Sequence, residues 1–395
     1  MMLRRLLGLP LAAGVALALL GGFFFGVPVF VDGRMNRLDP SDPIPVTAAG
    51  RALHESIAVA DLHDDLLLWD RGVLGPSPRG HTDVARLARG GVAVQVFSTV
   101  TKTPKGQNYE RNGADSDNIT LLAVASRWPP ATWTSLRARA LHQARKLERA
   151  AALSEGRVTL VRTAADLRNA LQRRAEWQGD ASRRPVAALL STEGLQALDG
   201  ELAGVDTLFA HGFRLAGLAH FFDNDVAGSA HGEAKGGLTP FGREVVRRME
   251  SRRMTVDLAH SSPATFDEVL AMARRPVIVS HGGVQATCPG PRNLTDAQLR
   301  AVAANGGLVG IGFWDGAICS SAPRDVARAI AHAVSVAGAA HVALGSDWDG
   351  ATTVQLAGDE LAQLTQALLD AGLDGETIRA VMGGNVLRFL EANLP

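Results

Sequence analysis

From about residue 55 onward, short apolar runs alternate with longer amphipathic stretches along the chain. Eight of the runs read as strands: IAVADLHD (57–64), GVAVQVFSTV (91–100), PVAALLSTE (185–193), FRLAGLAH (213–220), RMTVDLAH (253–260), PVIVSH (276–281), GLVGIGF (307–313) and HVALGSD (341–347). Several are apolar at successive rather than alternate positions, the pattern of strands covered on both faces. Helical patterns between them supply the crossovers that parallel strands need. Eight such strands favour a closed (β/α)₈ barrel of the TIM type over an open doubly wound sheet. Between the second and third strands, the Ala/Arg/Leu-rich stretch from Trp133 to Gln178 reads as long amphipathic helix. It is expected as a helical insertion after strand 2, with no strands of its own.

The N-terminus follows another pattern. Arg4 and Arg5 precede a run from Leu6 to Val31 that carries no charge in 26 residues, where roughly 20 suffice to cross a bilayer. It is either an uncleaved membrane anchor or a signal peptide cut near Ala16-Leu17-Ala18, and its continuation well past that site favours the anchor. Basic residues before the span keep that end in the cytoplasm, so the body is expected on the periplasmic or extracellular side. Cleavage would instead release it as a secreted protein. Residues 1–31 are thus assigned to the membrane or signal segment, 32–50 with their three prolines to a linker, and 51–395 to the barrel.

Composition narrows the partners. Lys+Arg and Asp+Glu are both 40, so no electrostatic footprint for nucleic acid exists. The only cysteines are Cys288 and Cys319, and no Cys-x-x-Cys pair occurs, which excludes thiolate zinc and thioredoxin-like sites.

The candidate chemistry lies where the strands end, at the face on which such barrels carry their active sites. Strand 1 ends in His63-Asp64-Asp65, strand 3 in Glu193, strand 4 in His220, strand 5 in His260, strand 6 in His281 and strand 8 in Asp347. His63 and Asp65 are two apart, so both can enter the barrel mouth while Asp64 points away. Each residue has an ordinary structural reading. Glu193 suits a helix N-terminus, His260 could precede an N-cap at Ser261 or Ser262, His281 could belong to a Gly turn, and Asp347 to a loop that binds nothing. Taken together at six strand ends, they point to a metal-dependent hydrolase. His63, Asp65, Glu193, His260 and His281 exceed the needs of one tetrahedral zinc, and two metals sharing a carboxylate would use them all. Of the other histidines, only His231 is placed to reach the mouth.

With these residues in view, the chain resembles the membrane (renal) dipeptidases, which belong with the amidohydrolase-like barrels. The resemblance runs from about residue 55 to 392 through DLHDDL (61–66), STEG (191–194), LAHFFDN (218–224), VDLAHSS (256–262), CPGPRNLTD (288–296) and GSDWDG (345–350). It implies that His63 and Asp65 hold a first zinc, that His260 and His281 hold a second, and that Glu193 bridges them. It further implies that His220 polarises the scissile carbonyl, that Arg292 holds the substrate's terminal carboxylate, and that Asp347 takes the proton from an attacking hydroxide held between the metals. Cys288 and Cys319 match a disulfide of mammalian members. The expected substrate is a dipeptide, including those with C-terminal D-residues, and a homodimer is the assembly to look for. The chain departs from mammalian members in carrying no apolar C-terminal tail and in having Asp64 where Asn is common. Two rivals share these residues: another binuclear hydrolase acting on lactones, N-acyl amino acids or phosphotriesters, and a non-catalytic membrane-tethered binding protein.

Overall fold

The computed structural model describes residues 14–395, so Arg4, Arg5 and the start of the apolar run lie outside the described residues. All eight expected strands form: β1 (Val59–Asp64), β2 (Val92–Phe97), β3 (Val186–Thr192), β4 (Phe213–Gly217), β5 (Thr255–Asp257), β6 (Ile278–Val279), β7 (Leu308–Ile311) and β8 (Val342–Leu344). They pair in parallel in chain order, β8 pairs with β1, and β2 with β3 completes the circuit. Inside the barrel, Ala60, Leu62, Val94, Val96, Leu189 and Leu215 make one apolar core. The C-terminal helix Asn385–Asn393 closes its lower end with Val386, Phe389 and Leu390. Outside, the strands pack against crossover helices such as Pro240–Ser251 and Pro323–Ala337 through a larger apolar shell.

The segment between β2 and β3 differs from expectation. Helices Ile119–Ala125, Leu136–Leu153 and Ala164–Ala175 form, but a strand at Val158–Leu160 interrupts the long helix expected over Trp133–Gln178. Glu155 and Gly156 take left-handed backbone (φ 53° and 85°) and end the helix. The strand pairs with Val186–Ala188 at the start of β3, whose end, from Leu190, is paired with β4. It therefore fills the gap that splaying opens between the lower halves of two barrel strands. Thr163 then starts the next helix through a capping box with Asp166.

The apolar N-terminus is helical over Gly14–Met35, long and apolar enough to cross a membrane by length and composition. Its last turns leave the apolar pattern and dock on the barrel mouth. Asp32 is buried, with Arg71 Nε at 3.2 Å and Arg79 Nε at 3.4 Å, and it accepts a hydrogen bond from Asn36 Nδ2 at 2.8 Å. Arg71 also pairs with buried Asp349. Next, Arg37–Leu38 pair in parallel with Thr353–Val354, and Ala48–Glu55 is helical. Residues 32–50 are thus laid onto the barrel along much of their length. Removing one partner of a buried ion network costs about 3 kcal/mol. Asp32→Ala should therefore lower the unfolding midpoint of the full chain in detergent. A midpoint equal to that of the wild type would show that the tether contributes nothing.

Candidate metal centre

Seven of the eight proposed site residues come together at the upper ends of β1, β3, β4, β5, β6 and β8, and the eighth, Arg292, joins them from the loop after β6. Glu193 is the hub. Its Oε1 lies 2.9 Å from His260 Nε2, 3.2 Å from His281 Nε2 and 3.8 Å from His63 Nε2, while its Oε2 lies 3.0 Å from His220 Nε2. His63 Nε2 is 3.4 Å from Asp65 Oδ1 and 3.9 Å from Asp347 Oδ1. All are buried.

Local backbone explains how short strand ends present so many groups to one point. Along β1, Asp61 pairs with Gln95 but Asp64 pairs with Phe97, so three steps on one strand oppose two on the other. This bulge lies directly under His63 and re-aims the strand end, as bulges do near active sites. Asp61 braces it, accepting from Gln95 Nε2 at 2.7 Å and from the Ser346 amide at 2.8 Å. Asp64 points away, as expected, accepting from Thr82 Oγ1 and the Leu66 amide at 2.7 Å each. His260 and Asp347 both sit in left-handed backbone, with φ of 61° and 59°. This is a sparsely populated state for non-Gly residues, which clusters at functional sites. Ser262 caps the helix Pro263–Met272 two residues after His260, so the capping reading and the site reading both hold.

The donor set fits a metal. Both ring nitrogens of His63, Oδ1 of Asp65 and Nδ1 of His260 are buried without a hydrogen-bond partner among the described residues. His260 Nε2 and His281 Nε2 face each other at 3.1 Å. Buried polar atoms left this way cost free energy unless something else satisfies them. Triads with ligand atoms near one another include His63–Asp65–Glu193, Glu193–His220–His260 and His63–His281–Asp347.

The electrostatics agree. Burial, with Arg292 nearby, holds His260 and His281 far below the ordinary histidine range, so both are neutral and able to ligate. Burial would lower His63 too, but Asp65 and Glu193 overcome it and push it up to about 10. Burial pushes Asp347 up to about 8 and Glu193 well above the carboxylate range. Without a cation, burial and mutual repulsion favour protons on Glu193 and Asp347, the neighbouring carboxylates favour one on His63, and a dication would take the place of those protons.

Around the cluster, a cleft of about 580 Å³ is lined at its base by Asp65, Glu193, His220, His260, Arg292 and Asp347. Its outer wall is apolar, and Val27, Val31 and Met35 of the N-terminal helix belong to it, facing Leu68 and Leu122. Arg292 donates from one terminal nitrogen to the His281 carbonyl at 2.8 Å and lies 5.5 Å over the Trp314 ring. Its other N–H groups make no hydrogen bond among the described residues. The loop that carries it is stitched by the Cys288–Cys319 disulfide to the segment after β7.

Three contributors were not singled out in the sequence. Tyr109, the chain's one tyrosine, accepts from Trp314 Nε1 at 2.8 Å and lines the cleft. Trp314 lies beneath Arg292, and the Lys102 carbonyl oxygen lies 3.4 Å from His220 Nδ1. All three lie outside the predicted strands, where periodicity carries no signal. His231 does reach the mouth, stacked on Phe221 and edge-on to His260, with its Nδ1 2.8 Å from the Tyr109 carbonyl.

Known proteins agree with this geometry. The family model of membrane dipeptidases, peptidase family M19, matches residues 47–393. An uncharacterised Klebsiella pneumoniae protein from the pqqA 5′ region is 31% identical over 260 residues, 62% of this chain and 92% of that protein. A dipeptidase of Aspergillus oryzae is 35% identical over 215 residues, and that match spans 52% of this chain and 51% of the fungal protein. The crystal structure of dipeptidase AC, a metallopeptidase of family M19, superposes with a TM-score of 0.67 at 25% identity, covering 86% of this chain and 99% of that one.

Proposed function

The chain belongs to the membrane dipeptidase family, peptidase family M19, and from that premise we propose a zinc dipeptidase that favours a large apolar N-terminal side chain. The observation that carries this reading is the convergence of His63, Asp65, Glu193, His260 and His281 on one point beside Arg292. His63 and Asp65 would hold one zinc, His260 and His281 a second, with Glu193 shared. Bound there, the metal pair supplies Lewis acidity and makes water acidic enough to ionise near pH 7.

The rest is the work of side chains. His220 Nε2–H, which rests on Glu193 Oε2 at 3.0 Å, would donate to the oxygen of the scissile carbonyl as it gains charge. Asp347 would accept the proton of the attacking water. It would return that proton to the peptide nitrogen as the C–N bond breaks. Arg292 offers a planar fork to the substrate carboxylate, which admits dipeptides and disfavours longer chains. The apolar wall of Val27, Val31 and Met35 leaves space for a bulky N-terminal side chain. We further place the catalytic body on the non-cytoplasmic side, held by the uncleaved N-terminal helix.

A panel of dipeptides with L- and D-residues at the C-terminal position tests the reaction, using the zinc-loaded full chain in detergent and the same protein stripped by chelator. Cleavage is expected only with metal, and fastest for substrates such as Leu-Gly or Phe-Gly over Gly-Gly. Loss of dipeptide cleavage with retained hydrolysis of lactones or phosphotriesters would move the protein to another reaction of the same centre.

A further inference from the structure

A second groove, of about 620 Å³, lies beside the catalytic cleft and shares with it only Trp69. One side is the helix Leu136–Leu153, whose His142, Arg145, Lys146 and Arg149 fall at spacings of three and four and so share a face. The opposite side carries Arg71 and Arg127. Asp70 is the sole acid of the lining, and it is already paired with Arg127 at 2.9 Å. Glu148, on the same helix, turns to Arg162 at 2.9 Å. Arg145 and Arg149 are exposed and have no carboxylate partner among the described residues. Partial burial, together with Arg145, Lys146 and Arg149, lowers His142 to about 4, the sign of a positive field inside the groove.

Its position says what the groove faces. Arg127 donates to the carbonyl of Phe24 and lies 4.5 Å over the ring of Phe25 on the N-terminal helix. Counted from Leu6, Phe25 is the twentieth residue of the apolar run, and roughly 20 apolar residues are what a hydrocarbon core of ~30 Å takes. Arg127 therefore sits where that core ends and headgroups begin. Leu153, 67% exposed, edges the groove, whose wall includes buried Trp128 with its ring 4.6 Å from His142.

We propose that this groove binds the phosphate of an anionic phospholipid between Arg127, Arg145 and Arg149, with the acyl chains beside Phe25 and Leu153. A free phosphate would satisfy the cations but not the apolar edge or the position at the membrane boundary. The proposal rests on the reading of the N-terminal helix as an uncleaved anchor.

The test uses full-length protein in neutral detergent, with bound lipid counted by native mass spectrometry. Phosphatidylglycerol should be retained well above phosphatidylcholine at equal concentration. The double variant Arg145→Glu/Arg149→Glu should lose roughly thirtyfold in phosphatidylglycerol retention, with phosphatidylcholine unchanged. Both side chains lie outside the catalytic cleft, so unchanged dipeptide cleavage certifies the fold of the variant. Equal retention of the two lipids by the wild type, or equal retention of phosphatidylglycerol by the variant, overturns the proposal. So does complete displacement of phosphatidylglycerol by millimolar inorganic phosphate. Alkaline extraction of the full chain from cell membranes examines the anchor separately. A chain that extracts while still selecting phosphatidylglycerol would defeat the anchor reading and leave the groove's specificity standing.

Discussion

Glu193→Gln is expected to strip most of the bound metal and to slow dipeptide cleavage by roughly 10³-fold, the equivalent of about 4 kcal/mol. The size of the effect follows from connectivity. Oε1 of Glu193 is within 3.2 Å of two histidine nitrogens and 3.8 Å of a third, while Oε2 faces His220. Gln fills the same volume but removes the charge and turns an N–H₂ group toward nitrogens that must offer lone pairs. Elemental analysis after dialysis reads the first half of the prediction and initial rates the second. Metal content equal to that of the wild type would mean that Glu193 is not a shared ligand, however far the rate fell.

Arg292→Ala should lower kcat/KM for dipeptides by about 10²-fold, the order expected on losing a charge-assisted, two-pronged contact of ~3 kcal/mol. Dipeptide amides, which lack the carboxylate, should change little. Because Arg292 also holds the His281 carbonyl at 2.8 Å, metal content must be measured alongside. Arg292→Lys gives a second reading, since it keeps the charge and loses the fork, and it should recover only part of the loss. Equal losses on acids and amides with full metal content would remove Arg292 from carboxylate recognition.

The barrel and most of its centre were legible because both follow from period and position. Buried parallel strands betray themselves as unbroken apolar runs, and a polar residue closing such a run has few roles other than the one at the barrel mouth. Glu193 is an example, since it follows VAALLST in β3 with no other polar group of its kind nearby. Strict alternation brought His63 and Asp65 to the same side, but the structure gets them there through a bulge, which no spacing rule announces. The strand Val158–Leu160 was hidden in a helix-rich composition, and its clue was Gly156 shortly before the run Val158-Thr159-Leu160. Tyr109 and Trp314 lie in loops, so only the folded chain brings them to Arg292. The docking of residues 32–38 depends on Asp32 meeting Arg71 and Arg79, contacts that local sequence does not encode.

His260 and Asp347, held at φ of 61° and 59°, bear on how freely this centre could be rebuilt for another metal or reaction. A β-branched or bulky residue at either place would have to carry left-handed backbone as well as new chemistry, and that geometry is an outlier for such side chains. Asn, Asp, His and Gly accept the turn most readily. Asp347→Asn separates the loss of a proton acceptor from the loss of the turn, whereas Asp347→Val conflates them. Redesign of this pocket is therefore freer at Glu193 and His63, which keep ordinary backbone, than at the two strand ends where the chain reverses hand.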